Sequence, residues 1–247
     1  MSLFDRLVTR GVLPQLVSRF VHSSETLTAA ELEAQAAVTA TLRSYEASPC
    51  PKVVGMVGLI GSGKSMVARA LAKRIGATII EGDAIRVELG ERGGRFDLTR
   101  LIAENIALEI LSRGGSVIID SDFVSTPKRA SLIAKVGGLA PVFFVQAVCD
   151  HLTMISRIGS TAYLPGSFYC TAALKRSTPR HTVTPADVKQ FEFTRRTPHH
   201  CDWSSVGGGT WRPKRFDYVV GSIDTGAPIS EQQADLDRLA RQILTGS

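Results

Sequence analysis

Gly58-Leu-Ile-Gly61-Ser-Gly63-Lys64-Ser65 spaces three glycines, a lysine and a hydroxyl as G-x-x-x-x-G-K-[ST], a pattern with a definite phosphate chemistry. Glycines let successive backbone N–H groups curl around phosphate oxygens without interference from Cβ. A helix opening at the lysine turns the positive end of its dipole toward the same anion. Lys64 adds a mobile ammonium for the β- and γ-phosphates of a nucleoside triphosphate, with ATP the expected one, and Ser65 offers a hydroxyl to Mg²⁺. The candidate nucleotide-binding set is Gly58, Gly61, Ser62, Gly63, Lys64, Ser65 and Met66. A chance glycine-rich turn would not explain the apolar run before this motif or the amphipathic run after it.

Three acids and an arginine come next. Asp83 and Arg86 lie in Glu81-Gly82-Asp83-Ala84-Ile85-Arg86, after the second expected strand. Taken alone they read as a helix N-cap and a solvated cation. At a strand end facing the ligand crevice of a parallel sheet, Asp83 instead accepts the proton of an attacking hydroxyl or holds a water on Mg²⁺. Arg86 then binds an anionic acceptor. Val117-Ile-Ile-Asp120-Ser121-Asp122 is an apolar strand ending in acids. Asp120 is the first choice for a Mg²⁺-holding carboxylate and Asp122 the reserve. His199-His200-Cys201-Asp202, with His181 upstream, follows no standard zinc spacing, since adjacent histidines point apart. A lid loop with a stacking Trp203 or Trp211 is the favoured reading of that stretch.

The elements that must position these groups alternate along the chain. Val53–Val57, Ala77–Ile80, Ser116–Ile119, Pro141–Val148 and Phe216–Val220 read as strands. Ser65–Ile75, Thr99–Ser112, Lys128–Val136 and Ser230–Leu244 read as helices, the first ended by Gly76. Such alternation predicts an α/β fold: a three-layer sandwich around a mainly parallel five-stranded sheet. Upstream, Thr28–Glu46 predicts a helix with Thr28 and Glu31 as its capping box. Met1–Ser24 has helical apolar spacing interrupted at Gly11 and Pro14. It predicts a helix packed on the core, although its acid-poor, arginine-bearing composition overlaps with organellar targeting segments. The boundary falls at ASPCPK, giving an N-terminal helical extension over 1–50 and a catalytic-type domain over 51–247.

One segment breaks the rhythm. His151–Arg215 contains five prolines and little clean periodicity, and it carries ten basic against three acidic residues. The whole chain is only +6, so all of its positive excess lies in this one insertion. A solvated basic face is the bland explanation. Concentration between two core strands favours an anion-handling lid, with Arg195 and Arg196 the first candidates to reach a phosphate and Arg157 and Arg176 the next. The 247 residues are 44% hydrophobic and 21% charged, which excludes collagen-like and disordered classes. No apolar run is long enough for a membrane-spanning helix. Cys50, Cys149, Cys170 and Cys201 form no framework and read as free thiols of a cytoplasmic, reducing environment.

GLIGSGKSMVARALAKRIGATIIEGDAIR resembles the opening of P-loop kinases of the nucleoside-monophosphate-kinase-like group. The nearest are dephospho-coenzyme A kinase, gluconate kinase, adenylylsulfate kinase and zeta-toxin-like proteins. Asp83 and Arg86 take the positions of their Asp-x-x-Arg. SVIIDSDFVSTPKR resembles their third strand and the segment after it, and FDYVVGS with SIDTGAP their last strand and adenine-side loop. The resemblance covers roughly Lys52–Val148 and Arg215–Leu244. It implies a Mg²⁺- and ATP-dependent transfer of phosphate to a small-molecule hydroxyl or phosphate, with Lys64, Asp83, Arg195 and Arg196 as catalytic groups. Two other expectations stay open: a polynucleotide 5′-hydroxyl kinase using the basic insertion to track nucleic acid, and a nucleotide-binding regulatory or toxin-like module.

Overall fold

The computed structural model describes residues 26–43, 47–206 and 209–246. The helix expected in Met1–Ser24 lies outside them. The first element among the described residues is α1 (Ala29–Thr41), opened by Thr28 and Glu31 in a reciprocal capping box. Its buried Glu31 is held by Arg95, Nε to Oε1 at 2.9 Å, and its Gln35 accepts from Asn105. These contacts pin the helix to the body of the molecule.

The body alternates β1 (Val53–Val57), α2 (Lys64–Ile75), β2 (Ala77–Glu81), α3 (Gly82–Glu91), α4 (Thr99–Ser112), β3 (Ser116–Asp120), α5 (Thr126–Val136) and β4 (Val142–Val148). The insertion comes next as α6 (His151–Ser160), α7 (Phe168–Arg176), α8 (Pro185–His200) and the hairpin β5 (Cys201–Ser204) and β6 (Thr210–Pro213). The chain then returns through β7 (Gly221–Asp224) and α9 (Ile229–Thr245). The main sheet has five parallel strands in the order β2-β3-β1-β4-β7.

Strand alternation builds two cores. Val53, Val57, Val117 and Ile119 face α1, α3, α4 and α5, packing against Ile85, Ile102, Ile106 and Leu132. Val54, Met56, Ile118 and Val145 face α2 and α9, packing against Leu71, Ile75, Leu236 and Ile243. Both faces of the sheet are covered, which is why β1 and most of β3 read as continuous apolar runs. A third, smaller cluster joins Leu59 beside the glycine loop to Met154, Ile158, Phe193 and Cys201 of the insertion. Among the described residues no helix is long and apolar enough to cross a membrane.

Two expectations change. The fifth strand is Gly221–Asp224, not Phe216–Val220. The apolar residues before it owe their character to packing: Tyr218 lies edge-on to Phe144, and the Arg129 guanidinium sits 3.5 Å from its ring centre. Moreover, the insertion is not irregular. It holds three helices and a two-stranded hairpin in which Trp203 and Trp211 pair edge to face. Its prolines sit largely at boundaries; Pro185 begins α8 behind a Thr184–Asp187 capping box.

Candidate functional site

The glycine loop joins β1 to α2 at the carboxyl end of the sheet. Its glycines are required by conformation and by space. Gly61 (φ 83°) would bring a Cβ to 2.8 Å from the Met154 carbonyl oxygen, and Gly63 (φ 85°) to 2.9 Å from Thr225. Lys64 folds back over the loop and donates to the Gly58 and Leu59 carbonyls at 2.7 and 3.1 Å. Ser62 is buried, and its carbonyl accepts from the Thr225 hydroxyl at 2.8 Å. Ser65 and the exposed Met66, in the first turn of α2, face the cleft.

Neighbouring strand ends supply the acids. Glu81 and Asp120 are in register as the last residues of β2 and β3. Burial pushes the Glu81 carboxyl above its ordinary range, and the charges of Asp120 and Asp83 push it further, against Arg69. Asp83 sits in the first turn of α3 and accepts from Arg86 Nη1 at 2.6 Å. Asp120 makes no ion pair or side-chain hydrogen bond with another described residue. Asp122 is different. It is buried, accepts from His200 Nε2 at 3.0 Å and has Arg196 at 3.8 Å. Burial alone would raise its pKa, but the His200 hydrogen bond and the nearby charges of His200, Lys64 and Lys128 bring it down to about 2. Asp122 is therefore an ionised strut between the sheet and the insertion.

The insertion closes the other side. Lys189, on α8, lies over the rings of Tyr163 and Tyr169 at 5.3 and 5.1 Å. Burial lowers its pKa, while Asp83 opposes the shift. Arg195 is exposed and pairs with Glu192 at 2.6 Å; Arg196 spans Glu192 and Asp122. Arg157 is fully engaged elsewhere: it donates to Gly61 O, Thr225 Oγ1 and Thr225 O at 3.2, 2.8 and 2.8 Å. The resulting cleft measures about 610 Å³ and is lined by Lys64, Ser65, Asp83, Asp120, Arg195 and Arg196 among others. Sequence-predicted groups from four separate stretches thus share one cavity.

A second cavity, about 220 Å³, adjoins it; Arg86, Ser121 and Lys128 line both. Its apolar wall is Phe96, Phe123 and Ile119. Arg100 is tied to Glu104, itself buried. Lys128 has no carboxylate partner within ion-pair distance among the described residues, and burial lowers its pKa, with Arg196, Arg86 and Arg100 adding to the effect against Asp122. Lys128, Lys189, Tyr169 and Thr225 were missed by sequence reasoning. Lys128 lies in STPKR, whose placement after an acid-tipped strand was the available signal. Lys189 and Tyr169 had none, because their relation to the site exists only once α7 and α8 pack.

Comparison with known proteins bears on the fold. Residues 53–160 match the family model described as AAA domain. A UPF0200 protein of Aeropyrum pernix is 31% identical over 106 residues, which are 37% of this chain and 56% of that protein. The chain thus matches little more than half the length of that relative. Chaetomium thermophilum Kti12, solved with ADP-AlF3, superposes with a TM-score of 0.50 at 12% identity over 77% of this chain and 98% of that one. The Mycobacterium tuberculosis APS kinase, solved with AMPPNP and APS, gives 0.45 at 18% identity over 80% and 98%. Residues 53–160 are thus similar to that AAA domain family, and the chain has the α/β fold, a parallel five-stranded sheet flanked by helices, that P-loop kinases share.

Proposed function

We propose that the protein is an ATP-dependent phosphotransferase that moves the γ-phosphate of ATP to a hydroxyl or phosphate of a small, anionic acceptor. The observation that carries this reading is the shared cleft. One cavity brings the loop lysine Lys64, the acid–arginine pair Asp83 and Arg86, and the insertion arginines Arg195 and Arg196 to the same space. Phosphoryl transfer through a loose transition state needs alignment and charge neutralisation rather than covalent chemistry, and these residue types supply both.

In this reading the polyphosphate lies along the loop, its charge met by backbone N–H groups, by the amino end of α2 and by Lys64. The donor set suits Mg²⁺. Ser65 and Asp120 are hard oxygen ligands on one cleft, and a bound cation would relieve the repulsion among Glu81, Asp83 and Asp120. Bound there, the metal would neutralise phosphate charge. Asp83 orients the acceptor hydroxyl and takes its proton. Arg86 and Lys128 hold the acceptor's anionic group at the mouth of the smaller cavity, whose aromatic wall favours a molecule with an apolar face. The insertion excludes water and brings Arg195 and Arg196 to the transferring group.

The test is transfer of label from γ-labelled ATP into a panel of hydroxy acids, sugars, nucleosides, phosphate monoesters and 5′-hydroxyl oligonucleotides. Label in a small anionic acceptor supports the proposal. Label only in oligonucleotide supports the nucleic-acid reading. Tight ATP binding with no acceptor labelled supports a nucleotide-dependent regulatory module.

A further inference from the structure

His200 ends α8 and is 3% exposed. Its Nε2 lies 3.0 Å from Asp122 Oδ2. A carboxylate only accepts, so Nε2 carries the hydrogen, and Nδ1 remains to bond a second partner, as an acceptor in the neutral ring or as a donor in the imidazolium. Nδ1 is buried and has no partner among the described protein atoms. The same holds for the Oγ of Ser62, which is 1% exposed within the glycine loop. Thr78, Ser167 and Tyr218 also have an unpartnered buried side-chain atom, but of the five residues Ser62 and His200 alone line the same pocket.

Both residues line one small space. A pocket between the loop and the insertion is walled by Gly58, Ser62, Met154, His200, Cys201 and Pro213 among others, with about 10 Å³ open to the centre of a water molecule. That is close to the smallest space that holds one water. Gln146, also on its wall, is already bonded to Lys214 O and Ser222 Oγ. The wall therefore offers an unpartnered ring nitrogen at Nδ1 and a donor-acceptor at Oγ, and one water can bond both.

We propose that this pocket is a binding site for a single structural water, and that His200 is a positioning residue through it. Asp122, His200, the water and Ser62 form one hydrogen-bonded chain from the strand end, through the insertion, to the phosphate loop. The insertion thereby fixes the conformation of the loop from a pocket separate from the large cleft, whose lining includes neither Ser62 nor His200. This link does not depend on which acceptor is used, or on whether phosphate is transferred at all. It predicts that the end of the insertion sets nucleotide affinity without touching the nucleotide.

The experiment is a double-mutant cycle of Ser62→Ala and His200→Gln, read as ATP affinity by calorimetry, together with a high-resolution crystal structure of the unaltered protein. Gln keeps a donor for Asp122 and removes the second ring nitrogen. Each single variant is expected to weaken ATP binding about fivefold, the worth of one neutral hydrogen bond. The double variant is expected to weaken it no further, because either change breaks the same chain. The crystal structure is expected to show one ordered water within hydrogen-bond distance of Ser62 Oγ and His200 Nδ1. Additive losses, or a clear map with no water between those atoms, would overturn the proposal. If His200→Gln does not fold, the crystal structure of the unaltered protein still decides.

Discussion

Arg157 and Thr225 are joined twice, by Nη1 to the hydroxyl and by Nη2 to the carbonyl, both at 2.8 Å. The same guanidinium reaches Gly61 O at 3.2 Å, and Thr225 reaches Ser62 O at 2.8 Å. The insertion, the loop after β7 and the glycine loop are thus stitched together by one arginine and one threonine. Arg157 looked in the sequence like a further phosphate-seeking lid arginine; its side chain is instead committed to scaffolding. Arg157→Ala is expected to destabilise the fold by about 2 kcal/mol and to weaken ATP binding as well, since charge-assisted hydrogen bonds to two loops are lost together. Thermal unfolding and calorimetry on one preparation check both effects; an unchanged midpoint would show that the stitch is unimportant.

Asp83 and Asp120 separate by role. Asp83→Asn is expected to lower turnover by roughly 100-fold with ATP affinity little changed, because its proposed partner is the acceptor hydroxyl. Asp120→Asn is expected to raise the Mg²⁺ concentration needed for half-maximal rate. Identical Mg²⁺ titrations for the two variants would contradict this division.

Arg195 and Arg196 also separate. Arg195 is exposed and bound only to Glu192 among the described residues, so Arg195→Glu should change stability by no more than about 0.5 kcal/mol. Arg196 additionally faces the buried Asp122 carboxylate, so Arg196→Glu should destabilise clearly more. Both reversals are expected to lower turnover by at least about tenfold. Denaturation and steady-state rates on the pair of variants distinguish the two effects.

Helix α1 makes a pH prediction. The Arg95 hydrogen bond, together with those at the Thr28 cap and against the cost of burial, holds Glu31 at about 2, below its ordinary 4.5. A folded-state pKa below the unfolded one gives stability that is present above about pH 4.5 and is lost as pH falls toward 2. Glu31→Gln should flatten the acid side of the stability profile between those values. If the two profiles fall in parallel, Glu31 does not anchor α1.

The phosphate loop was legible because its chemistry is written in consecutive residues, with strand and helix signals on either side. Asp83 and Arg86 were legible for the same reason: a helix opens at Gly82 and puts them three positions apart. The insertion was not, because prolines at helix boundaries mask periodicity, although Thr184, Pro185 and Asp187 spell a helix start that sequence reasoning passed over. The shift of the last strand had a different cause. Phe216, Tyr218 and Val219 are apolar because they pack on the core, and apolarity alone does not distinguish packing from sheet pairing. Asp122 and His200 are 78 residues apart, and their pairing exists only in the folded chain.

If this cleft transfers phosphate, Lys64 is needed for it. The most direct measurement follows label from γ-labelled ATP into a small anionic acceptor, with the unaltered protein and with Lys64→Ala side by side. Transfer is expected with the former, and with the latter a loss of transfer, weakened ATP binding and an unfolding midpoint close to that of the unaltered protein. Near-normal turnover by Lys64→Ala would contradict it.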